Sequence, residues 1–447
     1  MEIVIKLGQF LLSLSLLIVL HEFGHFIPAK LFKTKVEKFY LFFDVKFSLL
    51  KKKIGETEYG IGWLPLGGYV KIAGMIDESM DKEQMALPPQ PWEFRSKPAW
   101  QRLIIMLGGV TVNFILAFII YIGMAYAYGD QYIANSELKD GIWVTTPVGE
   151  QIGLKTGDKI LEVDGVKMLK FDDIPGKILF AKTVLIERNG QQQTLNMPID
   201  LLDQLMKGEK KPFINLRMPF MVAEVADSSA NKATLKAKDM VLSLDGTPTR
   251  YADQVIELLK AHKNKTVSAV VLRDNKEETV SLKVDQNGKL GAFYGGLTPD
   301  NLAKLDYFKI SSQHYSFAES FPAGLHKGKE EVLGYLKQLK AIFNPETGAY
   351  KGVGGFKAIF DIFPQSWSWE IFWGRTAMLS IMLGVMNLLP IPALDGGHVM
   401  FLLYEIITGR KPSDKFLEHA QIVGIVLLIA LLLFANGNDI YRAISSR

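Results

Sequence analysis

Residues 3–27 read IVIKLGQFLLSLSLLIVLHEFGHFI, an apolar run that is interrupted near its end by His21, Glu22 and His25. A run of this length can cross a bilayer as a single helix. We predict a retained transmembrane helix and not a signal peptide, because the run lacks a small-residue cleavage site. Polar residues inside such a segment are costly, so they require a functional explanation.

The segment His21–His25 is an H-E-x-x-H motif, in which two histidines four residues apart share one face of a helix. Both imidazoles can bind one zinc ion, and Glu22 beside them can take a proton from an activated water. The alternative is a histidine pair that only reaches toward the membrane interface. A metal explains the pair better, because a charged residue at a helix centre costs about 2.5–3.5 kcal/mol on insertion.

A second polar motif lies within the apolar stretch 371–407 and reads NLLPIPALDGGH from Asn387 to His398. Its two prolines must break the helix, and irregular backbone in a membrane is tolerated only where protein or a water-filled cavity surrounds it. Catalytic zinc needs a third protein ligand, and Asp395, just beyond the break, is the predicted one. His398 is the rival ligand, although we interpret it as a hydrogen-bond partner near the metal.

The amino-acid composition limits the classes of function that fit the chain. The chain has 447 residues, of which 48% are hydrophobic and 22% are charged, as expected for a protein that is partly membrane-embedded and partly soluble. It contains no cysteine, so any zinc must be held by His, Asp or Glu. The net charge of +4, without a basic tract, argues against a nucleic-acid partner.

The remaining spans and their orientation follow from hydropathy and loop charge. The apolar runs 103–127 and 420–435 predict the second and fourth transmembrane helices. Basic residues cluster after the first and third spans: Lys30, Lys33, Lys35, Lys38, Lys46, Lys51, Lys52 and Lys53, then Arg410, Lys411 and Lys415. Both loops should therefore face the cytoplasm, which puts the active site near that side. Residues 128–300 and both termini should lie on the extracytoplasmic side.

An internal repeat marks the soluble region. Residues 154–165 (LKTGDKILEVDG) recur as 235–246 (LKAKDMVLSLDG), which predicts two tandem domains, each with a strand and an Asp-Gly hairpin turn. The copies resemble PDZ domains of bacterial proteases, although Lys238 replaces a family glycine. The segment 251–262 predicts a groove helix in the second copy, whereas Pro175-Gly176 interrupts the corresponding segment of the first. The copies either capture peptides or act as spacers and size filters.

The two polar motifs together resemble the site-2 protease family of intramembrane zinc proteases, in its bacterial branch with two PDZ domains between the second and third spans. The resemblance covers essentially the whole chain. It implies one zinc ion held by His21, His25 and Asp395, with Glu22 as general base and Asn387 positioning the substrate backbone. It also implies single-pass membrane substrates, such as anti-sigma factors and remnant signal peptides, that another protease has already shortened.

Residues 58–74 (EYGIGWLPLGGYVKIAG) alternate apolar side chains around a Pro-Leu-Gly-Gly turn, which predicts a β-hairpin. In the family that the chain resembles, this hairpin dips into the membrane beside the zinc. Its edge would bind an unwound substrate by strand addition. The residues that we assign to this edge are Tyr69, Val70, Lys71 and Ile72. An interfacial hairpin without substrate contact is the alternative.

The expected fold is a polytopic α-helical membrane protein with four transmembrane helices, a membrane-dipping β-hairpin and two inserted β-rich PDZ domains. The expected divisions are a first membrane segment at 1–127, PDZ domains at 128–210 and 211–300, amphipathic linker helices at 301–370 including 317–342, and a second membrane segment at 371–447. The expected function is that of a zinc endopeptidase of the bacterial inner membrane. An inactive PDZ-bearing adaptor is the alternative, but it would have no use for Glu22. A transporter fits poorly, because the spans contain no repeat.

Overall fold

The computed structural model describes residues 1–65, 67–75, 87–208 and 211–445, and these residues form two compact units. The membrane unit comprises Met1–Gly129, His314–Lys340 and the chain from Lys351 onward. The inserted unit comprises Asp130–Gln313 and Ala341–Tyr350.

The secondary structure of the described residues follows in chain order. The α-helices are α1 (Glu2–Leu31), α2 (Ala99–Tyr128), α3 (Pro147–Gln151), α4 (Ile174–Ile178), α5 (Leu201–Lys207), α6 (Ala252–Ala261), α7 (Pro299–Lys304), α8 (Phe317–Ile342), α9 (Phe356–Asp361), α10 (Trp369–Leu388), α11 (Asp395–Thr408) and α12 (Asp414–Ser445). The strands are β1 (Val36–Leu41), β2 (Phe43–Ile54), β3 (Thr57–Leu64), β4 (Tyr69–Ile72), β5 (Asp130–Ile133), β6 (Ile142–Val144), β7 (Lys159–Val163), β8 (Val166–Lys167), β9 (Thr183–Arg188), β10 (Gln191–Asn196), β11 (Ile214–Leu216), β12 (Val222–Val225), β13 (Met240–Leu244), β14 (Thr247–Pro248), β15 (Thr266–Arg273), β16 (Lys276–Lys283), β17 (Ala292–Tyr294) and β18 (Ile310–Gln313).

Four helices, α1, α2, α10 and α12, are long and apolar enough to cross a membrane, as the hydropathy pattern predicts. The third span ends at Leu388, and a new helix begins at Asp395. Pro390 and Pro392 lie in the break, since proline removes a backbone donor and clashes with the preceding helical turn. The fourth helix starts at Asp414 and is longer than the predicted run 420–435.

The second helix lies at the centre of the membrane unit and packs against α1, α10 and α11. Helices α1 and α2 meet backbone to backbone, because a Cβ atom at Gly24 would overlap Gly108 and the reverse is also true. Small residues allow such close approach inside a membrane. Ser380 on α10 adds a hydrogen bond of 2.8 Å to the Asn113 carbonyl of α2. These contacts hold α1, α2 and α10 close together.

A four-stranded sheet in the order β2-β3-β1-β4 follows the first helix. The predicted hairpin at 58–74 is wrong: β3 pairs with β1 in parallel, β4 pairs with the other side of β1, and β3 and β4 do not pair with each other. The reason is Tyr40 of β1, which is fully buried, lies over Gly60 of β3 and stacks on Tyr69 of β4. Leu66 of the expected turn lies outside the described residues. Among the described strands, none pairs with the outer side of β4.

The inserted unit contains the two copies of the sequence repeat, each with its own apolar core. Their sheets have equivalent orders, β10-β9-β7-β8 and β16-β15-β13-β14. Both Asp-Gly turns have positive φ at both residues, as a tight hairpin requires. In each copy a buried aspartate pairs with an arginine of the second sheet strand at 2.6–2.8 Å: Asp158 with Arg188, and Asp239 with Arg273.

Two segments that we assigned to the linker belong elsewhere in the fold. Residues 301–313 are part of the inserted unit, because Leu302 and Phe308 are buried in its first core and β18 pairs with β5. The amphipathic helix α8 spans Phe317–Ile342 as predicted. It packs on α2, since Gly324 lies against Ile122 and Gly328 lies against Phe118.

We predict that Gly108→Ala will separate α1 from α2, because the added methyl group overlaps the Gly24 carbonyl. Overpacking of this kind costs about 1–3 kcal/mol, and thermal unfolding should report a lower midpoint together with reduced zinc content. Gly123→Ala is the matched control on the same helix, where the new methyl group has no atom of another described element within 4 Å. Equal stability and equal zinc content in both variants would contradict the role of this contact.

Candidate metal centre and active site

The histidines of the H-E-x-x-H motif face α2 at a glycine. His21 and His25 are both buried, and a Cβ atom at Gly109 would overlap their imidazole rings. Gly109 therefore provides the space in which two rings can lie side by side between the helices. The rings themselves meet edge to face, with centroids 4.9 Å apart.

Three donor atoms converge beside this glycine. Nε2 of His21 lies 3.3 Å from Nε2 of His25, and the two nitrogens lie 3.4 and 3.3 Å from Oδ2 of Asp395. These three residues form a cluster whose donor atoms could hold one metal ion. Oδ2 of Asp395 is buried and makes no hydrogen bond within the described region of the chain. A buried acceptor without a partner is costly, and a cation would satisfy it.

The dimensions of this triangle suit zinc. Ligand bonds of about 2.0–2.1 Å at tetrahedral angles place donor atoms about 3.3 Å apart, and the three separations here are 3.3, 3.4 and 3.3 Å. Two imidazoles and one carboxylate are also a donor set typical of catalytic zinc, with the fourth position open to water or substrate. The residues present therefore fit the metal.

Further polar groups orient the two imidazoles. Nδ1 of His25 lies 2.9 Å from the carbonyl oxygen of Ile105, so that Nδ1–H donates and Nε2 keeps its lone pair for a metal. The Asn113 amide lies 3.0 Å from Nδ1 of His21, and its Oδ1 has no hydrogen-bond partner among the described residues. If the amide is rotated by 180°, Oδ1 of Asn113 accepts a hydrogen bond from Nδ1–H of His21. Oδ1 then has a partner, and His21 keeps the lone pair of Nε2 for a metal. We therefore interpret Asn113 as the residue that sets the His21 tautomer.

The break after the third span places Asp395 next to His21 and His25. Asp395 is the first residue of α11, and Ala393 just before it has φ of 76°, a left-handed conformation. Gly396 and Gly397 allow α11 to start against the carbonyls of the preceding loop, because a Cβ atom at either would overlap it. Gly424 of α12 presses on Pro392 from outside. Several tight backbone contacts thus fix the loop that carries the carboxylate.

A cavity of about 570 Å³ opens beside the three donors. Its lining includes the three donor residues, Glu22, Asn387, His398, and residues 68–72 of the sheet. The start of β4 lies next to Glu22, because a Cβ atom at Gly68 would be 3.6 Å from Cγ of Glu22. The cavity is therefore lined by the Glu22 carboxylate, by the donor triangle and by the edge of β4.

The other predicted site residues differ in their contacts and in their distance from the donor triangle. Nδ2 of Asn387 lies 3.3 Å from Nε2 of His21, at the donor triangle itself. His398 lines the cavity but is not among the residues whose donor atoms converge. Tyr69 donates a hydrogen bond of 2.8 Å to Asp44, and burial together with this bond raises the Tyr69 pKa well above its ordinary value. Lys71 pairs with Glu37 at 3.3 Å.

Gly109 and Asn113 are site residues to which the sequence alone assigned no role. They lie four residues apart in the segment GGVTVN and therefore share one face of α2. That spacing is the signal that could have linked both to the histidine pair. It could not show which helix the face meets.

Comparison with known proteins identifies the family of the chain. A family model described as Peptidase family M50, the site-2 protease family, matches residues 9–431, so the chain belongs to that family. A putative zinc metalloprotease of Rickettsia conorii is 28% identical, covering 98% of both chains. The regulator of sigma-E protease RseP of Salmonella typhimurium is 27% identical, covering 99% of this chain and 100% of its own. The RseP of Escherichia coli is 26% identical over 98% of each chain. The protein is thus an intramembrane metalloprotease whose cofactor is zinc.

The ligand assignment predicts which substitutions remove the metal. His21→Ala and Asp395→Ala should lose zinc, which elemental analysis of purified protein reports as a fall from about one ion per chain. His398→Ala should retain it. Asn113→Leu should weaken zinc affinity by about 10–100-fold, because the tautomer of His21 is then no longer fixed. Full zinc retention in Asp395→Ala would remove this residue from the ligand set and favour His398.

Proposed function

We propose that the protein is an endopeptidase that hydrolyses peptide bonds of single-pass membrane proteins at or within the bilayer. One observation carries the proposal: the donor triangle of His21, His25 and Asp395 shares a cavity with a carboxylate and with a strand edge that no other described strand pairs. A hydrolytic centre and a site for extended peptide are therefore in one place. An inactive adaptor would need neither Glu22 nor the convergence of three metal donors.

The chemistry follows from the groups around the cavity. His21, His25 and Asp395 would hold a zinc ion, which would supply the Lewis acidity needed to acidify a water and to polarise a carbonyl oxygen. Glu22 accepts the proton of the attacking water and returns it to the nitrogen of the leaving amine. The amide of Asn387, beside the donor triangle, hydrogen-bonds the substrate backbone and holds the scissile peptide in position.

The edge of β4 is the surface on which the substrate unwinds. The Ala73 N–H donates to the Lys35 carbonyl at 3.0 Å, on the β1 side of the strand. Because N–H directions alternate along a strand, those of Val70 and Ile72 point to the open edge. A transmembrane helix has its backbone hydrogen bonds satisfied, so cleavage requires that these bonds be exchanged for others. Strand addition on β4 supplies replacements.

The substrates are membrane proteins already shortened by another protease, of the anti-sigma-factor or remnant-signal-peptide type. The name of the RseP relatives, regulator of sigma-E protease, supports the first type. The two copies in the inserted unit are PDZ domains that either bind peptide ends or exclude bulky substrates. The second copy is better suited to peptide capture, because α6 provides a groove helix of ten residues where α4 has five.

The protein resides in the inner membrane of a bacterium. The lysine-rich loop after α1 and the basic residues after α11 face the cytoplasm by the positive-inside rule. The inserted unit and both termini then lie on the extracytoplasmic side, and the zinc site lies near the cytoplasmic face. Release of a cleaved fragment into the cytoplasm is the output that this orientation favours.

Glu22→Gln should abolish most of the activity while it leaves the metal in place. The amide keeps the size of the side chain but cannot accept a proton, so the cleavage rate should fall by about 10²–10⁴-fold. The measurement is cleavage of a single-pass test substrate by purified protein, with zinc content determined on the same samples. Near-normal turnover in a zinc-loaded Gln variant would contradict the role of Glu22.

Val70→Pro should weaken cleavage of helical substrates by about three- to tenfold, because it deletes one outward N–H of β4 and the bond that it would make. The ladder to β1 is spared, since the Val70 N–H does not take part in it. Val70→Ala is the matched control and should be milder. A substrate with helix-breaking residues at the cleavage site should be partly insensitive to Val70→Pro. If Val70→Pro cleaved helical substrates at the wild-type rate, the edge of β4 would have a structural role only and would not bind the substrate.

A further inference from the structure

Gln421 is a polar residue on the fourth transmembrane helix that lines the active-site cavity. It lies one turn before Gly424, the residue of α12 that presses on the Pro392 loop. Leu394, Asp395 and His398 line the same cavity. The sequence that follows it, IVGIVLLIALLLF from 422 to 434, is apolar, whereas Glu418 and His419 precede it.

The Gln421 side chain is buried without a partner. The residue is 4% exposed, and its amide makes no hydrogen bond to any segment of the chain that the structure describes. Some other buried polar side chains in the membrane unit have internal partners, such as Ser13 and Thr376, whose hydroxyls lie 2.9 Å apart. An amide at the wall of the cavity that has no partner within the described residues can pair with a group that enters the cavity.

Resting on the proposed function, we propose that Gln421 binds the backbone of the extended substrate from α12. A carboxamide carries both an N–H donor and a carbonyl acceptor, so it can pair with the C=O and N–H groups of a peptide. This recognition is independent of substrate side chains, as is pairing with the edge of β4. The unwound segment would then be held by α12 as well as by the sheet, and Gln421 is a positioning and substrate-binding residue.

The test begins with Gln421→Met, which keeps an unbranched side chain of similar length but removes both hydrogen-bonding groups. The substrate is a synthetic single-pass peptide that the wild-type enzyme cleaves in detergent micelles. We expect KM to rise about tenfold, from the loss of one or two hydrogen bonds, with kcat and zinc content unchanged. Binding of the same fluorescently labelled peptide to Glu22→Gln and to Glu22→Gln/Gln421→Met should show the same weakening without turnover.

A substrate series locates the contact. Peptides in which one backbone amide near the cleavage site is replaced by an ester lack that N–H. At one position the ester should weaken binding to the wild type but not to Gln421→Met, which is the non-additivity expected of two groups in direct contact. Equal additive losses at every position, or an unchanged KM, would overturn the proposal. A peptide that the wild type does not cleave at all would count against the proposed function instead.

Thermal stability separates a substrate-binding role from a structural one. Gln421→Met should unfold at the same or a higher temperature than the wild type in the absence of substrate, because the substitution removes no internal hydrogen bond. Thr376→Val is the matched control: it removes a buried hydroxyl whose partner is internal, so it should lower stability and leave KM unchanged. A lower unfolding temperature with an unchanged KM in Gln421→Met would show that Gln421 only supports the fold.

Discussion

Three donor atoms within 3.4 Å of one another, in the interior of a helix bundle, are the constraint on which the rest of the membrane unit depends. Polar groups held this close are unfavourable unless a cation lies between them. The surrounding structure maintains the arrangement by backbone contact: Gly24 on Gly108, Gly109 under the imidazoles, and Gly424 on Pro392. A side chain at any of these glycines would displace at least one ligand.

The sheet adds the second requirement for peptide hydrolysis in a membrane. A substrate helix offers no free backbone groups, whereas a protease needs an extended peptide. Strand β4 remains an edge because Tyr40 of β1 is buried between β3 and β4 and fixes the order of the sheet. The same order brings Gly68 next to Glu22. Sheet topology thus determines where the Glu22 carboxylate, the proposed general base, meets the strand edge that we propose as the substrate surface.

The inserted unit shows how a repeated fold can tolerate local sequence change. Lys238 has φ of 74° and occupies the position of Gly157, whose φ is 96°. The strain of a left-handed lysine is accepted because the neighbouring aspartate, Asp239, remains anchored by Arg273 as Asp158 is by Arg188. Apolar cores of their own and a shared sheet order make the two copies comparable units, which suits a role separate from the chemistry.

The sequence by itself determined the features that depend on local geometry. Span length set the four helices, the four-residue spacing set the histidine pair on one helical face, and two prolines set the break before Asp395. Only the tertiary structure decided the order of the sheet, the contact of Asn113 with His21, and the position of Gln421 at the cavity. Each of these joins segments far apart in the chain, and no periodicity within one segment specifies which partner its face will meet.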